Sequence, residues 1–248
     1  MIKFILYLFF TTLILSQKTN VNVYTGPVLG LLKKLEKDII INIFELYNNK
    51  SKEILTPKFI SKNSFSEIFS TIDSLNENHG DAIIISGLSI SQERKSFIRF
   101  SAPYMNTNIV ILKRKKHKGA LQRNDLLGYH KDTYYERYAF QLQDSLELTL
   151  LSAKPTEKVI QLLYDKKVNF IVDSRFAYVN FPNLEIVQIM PNTSIDQFGI
   201  VFPFNSKLYN KLKPICEYYF RSKSFYSLVN KHLGDKYKTF IPFFQKVD

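Results

Sequence analysis

A chain of 248 residues, 45% hydrophobic and 15% aromatic, has enough apolar material for real cores, in one large α/β domain or two compact lobes. Its 34 basic and 22 acidic residues leave +12, but the lysines are spread out apart from Lys113-Arg114-Lys115-Lys116-His117-Lys118, a run that reads as a solvated turn and argues against nucleic-acid binding. The single cysteine, Cys216, excludes an intramolecular disulfide and a cysteine-based metal site.

Lys3 precedes an apolar run, Phe4–Leu15, which is shorter than the ~18 apolar residues of a membrane-spanning helix. With Ser16 behind it, the segment reads as a cleavable export signal over residues 1–16, with an uncleaved anchor as the competing reading. No cysteine follows, so a lipoprotein anchor is excluded; the mature chain is expected to start near Gln17 and to work outside the cytoplasm.

Beyond the signal, Asn20–Tyr24 reads as a strand, Gly26-Pro27 as a turn, and Leu35–Tyr47 as a helix with Leu35, Ile39, Ile43, Leu46 and Tyr47 at helical spacing. A strand at Thr56–Ile60 precedes a helix opened by the Ser64/Glu67 capping box, whose apolar stripe is Phe65, Ile68, Phe69, Ile72 and Leu75. His79 is a loop histidine with no second histidine or carboxylate at a metal-ligand spacing. After a strand at Asn108–Leu112, the basic run and Gly119 read as a crossing into a second lobe. There, Leu126–Tyr129 is a strand, Tyr134–Gln141 a helix and Leu148–Leu151 a strand; Pro155-Thr156-Glu157 opens the next helix. Lys167–Ser174 is an apolar strand with an acid at its end and a helix after it. Leu184–Ile189 and Ile195–Phe202 are strands, and Ser206–Phe220 and Ser224–Leu233 are helices, the last ended by Gly234. Strands alternating with helices predict mostly parallel sheets covered on both faces.

The most informative stretch is Asp81–Tyr104. Ala82–Ile85 suits a strand buried on both faces, Ser86-Gly87 turns the chain, and Ser89 or Ser91 caps a short helix with Glu93 in its first turn. This exposes backbone groups, hydroxyls and Arg94 at one sheet edge, where ligands of open α/β sheets sit. Arg94 can grip a carboxylate through two charge-assisted hydrogen bonds.

Asp81, Ser86-Gly87-Leu88, Ser89-Ile90-Ser91, Arg94 and Phe100-Ser101-Ala102-Pro103-Tyr104 together resemble the first lobe of type 2 periplasmic binding proteins of polar amino-acid ABC transporters. Val172-Asp173-Ser174 and Phe198-Gly199-Ile200-Val201-Phe202 extend the resemblance, which covers about Asn20–Tyr237. It implies a two-lobed α/β fold, each lobe a mostly parallel mixed sheet flanked by helices, with a ligand cleft between. The lobes would comprise residues 17–112, 113–197, and a return to the first lobe over 198–248.

The resemblance also implies a binding site. Arg94 would pair with the α-carboxylate of an amino acid, helped by Ser89 and by the Asp132-Thr133 loop; Ser86, Gly87 and Ser89 would surround the α-ammonium, and Asp173 would oppose it from the second lobe. The chain departs from the family in two places: the aromatic loop after the first strand is missing, leaving Tyr24 as the available ring, and Asp132 stands where a glycine is expected. The implied partners are a small-molecule ligand and an ABC permease or membrane sensor, with the chain a monomer and no cofactor or metal. The fold also hosts cyclohexadienyl dehydratases; Glu93 and Glu136 are the acids such an enzyme would use, but no nucleophile–base pair accompanies them.

Overall fold

The computed structural model describes residues 18–28, 30–153, 158–176, 181–190 and 195–242. The expected signal over 1–16 and the helix start at Pro155-Thr156-Glu157 lie outside them, as does most of the helix expected after Ser174.

In the first lobe, β1 (Lys18–Thr25), β2 (Ile54–Ser61) and β3 (Ile83–Ile85) lie parallel in the order β2-β1-β3, connected through α1 (Gly30–Asn48) and α2 (Phe65–Glu77). The helix α1 presses Leu35, Ile39 and Ile43 into the core at a four-residue spacing, one face of a 3.6-residue period. At the start of α2 the Ser64 hydroxyl accepts the Glu67 amide at 3.1 Å, and the Glu67 carboxylate accepts the Asn63 amide at 3.1 Å. The reciprocal cap thus closes one residue earlier than the capping-box pattern implies. After β3 comes the single turn α3 (Gln92–Lys95), capped by Ser91, so Ser91 and not Ser89 is the helix cap.

The strand β4 (Ile98–Arg114) belongs to two sheets. Ile98–Asn108 pairs antiparallel with β9 (Ile195–Pro203), which itself pairs with β3. Ile109–Lys113 pairs instead with β7 (Phe170–Ser174), and Val110–Arg114 with β8 (Leu184–Ile189), also antiparallel. The second lobe is completed by β5 (Leu126–His130) and β6 (Thr149–Ala153), parallel to each other and to β7, with α4 (Tyr134–Leu146) and α5 (Val159–Tyr164) against them. Where the sequence suggests a strand only from Asn108, the structure extends it back to Ile98. Pro103, with register shifts on either side of it, breaks the alternation by which a strand is recognised. Hydrogen bonding passes from one sheet to the other at Asn108/Ile109, upstream of the basic run.

The chain then closes on the first lobe with α6 (Lys207–Phe220), α7 (Lys223–Leu233) and a 3₁₀ turn at Asp235–Phe240. Leu212, Cys216, Phe220 and Phe225 join the core built on α1. Among the described residues no helix is long and apolar enough to cross a membrane.

Asp81 ties α6 to the first sheet. Its carboxylate accepts the Ser206 hydroxyl and, at 3.1 Å each, the amides of Lys207 and Leu208, donors that a helix start otherwise leaves unsatisfied. Asp81→Ala is expected to lower the unfolding free energy by about 1–2 kcal/mol in urea denaturation. An unchanged midpoint would contradict this role.

Candidate functional site

The turn after β3 places Gly87 at φ +59°, a region open to glycine at little cost. The Gly87 amide donates at 2.7 Å to Oε1 of Glu36, a residue on the buried side of α1, and the Tyr104 hydroxyl donates to the same oxygen. Glu36 Oε2 has no partner among the described residues. Burial pushes Glu36 up to about 7, against the lowering effect of the Tyr104 hydroxyl and the Gly87 amide.

Arg94 is half-buried. Its Nη1 donates to the Ser89 carbonyl at 2.9 Å, and the guanidinium lies over the Phe69 ring at 5.1 Å. Burial lowers its pKa while the field of Asp196 raises it. None of the ion pairs among the described residues involves Arg94.

From the second lobe comes Asp173, next to last in β7, whose Oδ1 accepts the Ser174 amide at 2.7 Å. Asp173 keeps part of its surface open to the cleft, yet burial of its carboxyl group pushes it up to about 7; the Ser174 amide lowers it and Asp196 adds to the rise. Asp196, on β9, is 1% exposed. Its Oδ2 accepts the Tyr135 hydroxyl at 2.9 Å, and its Oδ1 has no partner among the described residues. Burial raises Asp196 to about 6, against lowering by the Ser89 and Tyr135 hydroxyls and by Arg94.

One cleft between the lobes is lined by Gly87, Ser89, Arg94, Thr133 and Asp173. Five of the eight residues named from sequence therefore meet there, and three do not. Ser86 is fully buried behind the turn, close against Gly26, with its hydroxyl unpartnered among the described residues. Tyr24 lines a different depression, with the Lys62 ammonium 5.3 Å from its ring centre. Asp132, at φ +61°, turns its carboxylate outward to accept the Ser66 hydroxyl of the first lobe at 2.6 Å. That bond crosses the mouth between the lobes. Glu93 and Glu136 line the outer groove beside Asp132, and Glu136 accepts the Asp132 amide at 3.1 Å.

Sequence reasoning missed Glu36 and Asp196. Glu36 follows Leu35 in a helix with several other polar positions, and Asp196 sits at the start of a return strand; neither belongs to a motif. Among the described residues no group of three or more His, Cys, Asp or Glu side chains is arranged to hold a metal.

Two sheets sharing β4, with a cleft between them, define a two-lobed type 2 periplasmic binding protein. The chain belongs to the bacterial extracellular solute-binding proteins, family 3, whose profile matches residues 40–236. Among solved structures it is similar to the GluR0 ligand-binding core from Nostoc punctiforme in complex with L-glutamate (20% identity, TM-score 0.69, 86% of this chain and 99% of that one). It is also similar to the arginine-, lysine-, histidine-binding protein ArtJ from Geobacillus stearothermophilus (19%, 0.69, 88% and 96%) and to a putative L-cystine ABC transporter from Listeria monocytogenes (14%, 0.70, 88% and 97%). At these identities the likeness establishes the fold and not the ligand. A comparison with curated protein sequences found no match.

Glu36, Asp173 and Asp196 all hold protons above their ordinary values of 4.5, 3.8 and 3.8, up to about 7, 7 and 6. Between those values the folded chain binds more protons than the unfolded one, so the stability these groups confer is complete below the ordinary values and is lost as pH rises towards 7. Thermal denaturation of the ligand-free protein should show a midpoint that falls from pH 5 to pH 7.5, with a smaller fall for Glu36→Gln. An equal fall in the variant would contradict the assignment.

Proposed function

We propose that this is an extracytoplasmic solute-binding protein that captures a small polar solute, an α-amino acid, by closure of its two lobes and delivers it to an ABC transporter permease. The observation that carries this reading is that a guanidinium and a carboxylate, Arg94 and Asp173, line one cleft from opposite lobes with no ion pair to either among the described residues. The family's description as extracellular supports a location outside the cytoplasm, reached through the N-terminal signal, and we take the binding unit to be a monomer.

Arg94 receives the ligand carboxylate, with the Ser89 hydroxyl and the Thr133 amide at its edge. The Gly87 carbonyl and Asp173 receive the ammonium. A charge enclosed without a partner is costly, so the zwitterion is held well only when both lobes contribute. Ligand then favours the closed state by its differential affinity for that state, and the permease reads the closed state. Micromolar capture of such a solute needs about −8 kcal/mol. For so few atoms that requires near-complete enclosure.

In isothermal titration with the twenty amino acids, at least one is expected to bind, and Arg94→Ala should weaken it by about 100-fold through loss of a buried charge-assisted pair. An unaltered dissociation constant in Arg94→Ala would remove the guanidinium from the site.

An ammonium beside Asp173 favours its ionised form, so ligand binding below pH 7 should release protons, and affinity should strengthen from pH 5 to pH 8. Titrations in buffers of different ionisation enthalpy measure that proton count. Proton uptake on binding would contradict the role of Asp173.

A further inference from the structure

We infer that the amino acid taken by this cleft carries an apolar side chain, aliphatic, thioether or aromatic, and not a charged or amide one. The inference rests on the amino-acid reading above and concerns the part of the cleft that Arg94 and Asp173 leave to the rest of the ligand.

Apolar groups reach the cleft from both lobes. Val28, Leu32 and Phe65 line it on the first lobe; Val159, Ile160 and Phe181 line it on the second. The wall begins right beside the ammonium site: a Cβ built on Gly87 would stand 3.3 Å from Val28 Cγ1, 3.7 Å from Leu32 Cδ2 and 4.0 Å from the Phe198 ring. The residue whose carbonyl is assigned to the ammonium is thus itself walled by hydrocarbon groups.

Several polar groups of the lining are already committed. The Thr133 hydroxyl donates to the His130 carbonyl at 2.7 Å, and His130 Nε2 accepts the Val159 amide at 3.1 Å. The Tyr135 hydroxyl donates to Asp196, which does not line the cleft. Once Arg94 and Asp173 take the two main-chain charges, Lys158 is the one charged side chain left among the described lining residues, and it is exposed at the start of α5. A ligand carboxylate, guanidinium or amide among the hydrocarbon groups of this wall would lose more hydration than the few remaining hydroxyls return, whereas a methyl or methylene group gains by leaving water.

The test is titration calorimetry at pH 7.5, with thermal shift as a second readout, of the purified protein against L-leucine, L-methionine, L-phenylalanine, L-arginine, L-glutamate and L-glutamine. At least one of the first three is expected to bind tenfold or more tightly than any of the last three. Ile160→Ala should weaken that ligand about tenfold, the effect of removing apolar contact from a fitted pocket, with the ligand-free melting temperature reporting separately on the fold. Tighter binding of arginine, glutamate or glutamine overturns the inference and leaves amino-acid capture standing. Silence for leucine, methionine and phenylalanine also overturns the inference, and only silence across all twenty amino acids overturns the capture reading as well.

Discussion

A zwitterion can leave water only where each of its charges meets an opposite one, and Arg94 and Asp173, the two partners proposed here, line the cleft from separate lobes. Arg94 projects from the single turn after β3, held by the Ser89 carbonyl and resting on Phe69. Asp173 ends a strand of the other sheet. Neither alone makes a site, because each satisfies only half of the ligand's demand for pairing. On the proposed reading, the requirement for both is what would turn a binding event into a conformational signal.

The connection between the lobes makes such a signal possible. β4 and β9 run side by side, and β4 changes sheet partners between Asn108 and Ile109. The apolar residues form separate clusters, an arrangement that suits the lobe closure proposed above. Two polar contacts join elements of different origin near this region: Asp132 with Ser66 at the mouth, and Tyr135 with Asp196 at the base. Both hold α4 close to the first lobe. Glu36 belongs to a different layer. Its hold on the Gly87 amide fixes the turn from which the ammonium site is built.

Much of this was legible in the chain because the information is local. Gly87, Ser91 and Arg94 lie within one strand–turn–helix unit whose spacing alone sets their relation, and Ser64 and Ser206 announce helix starts through their own side chains. What was not legible depends on contacts made across the fold. Whether an acid such as Glu36 or Asp196 is solvated or enclosed is decided by residues 51 or 61 positions away, Gly87 and Tyr135, and no short pattern records that. The same holds for Asp132, which stands where the family has a glycine and whose carboxylate is taken by Ser66 on the opposite lobe, 66 positions away. Pro103 hid the first half of β4, since a proline within an apolar run reads as an interruption although the strand tolerates it through a shift in register.

The claim on which the account stands is that Arg94 and the ligand carboxylate recognise each other. A thermodynamic cycle isolates that pair: the affinity of the bound amino acid and of the corresponding primary amine, which lacks the carboxylate, is measured for the parent protein and for Arg94→Ala. Removing the carboxylate should weaken binding by about two orders of magnitude in the parent and by little in the variant, a coupling expected of a buried charge pair. An equal loss in both proteins would mean that the carboxylate is held elsewhere and that this reading of the cleft is wrong.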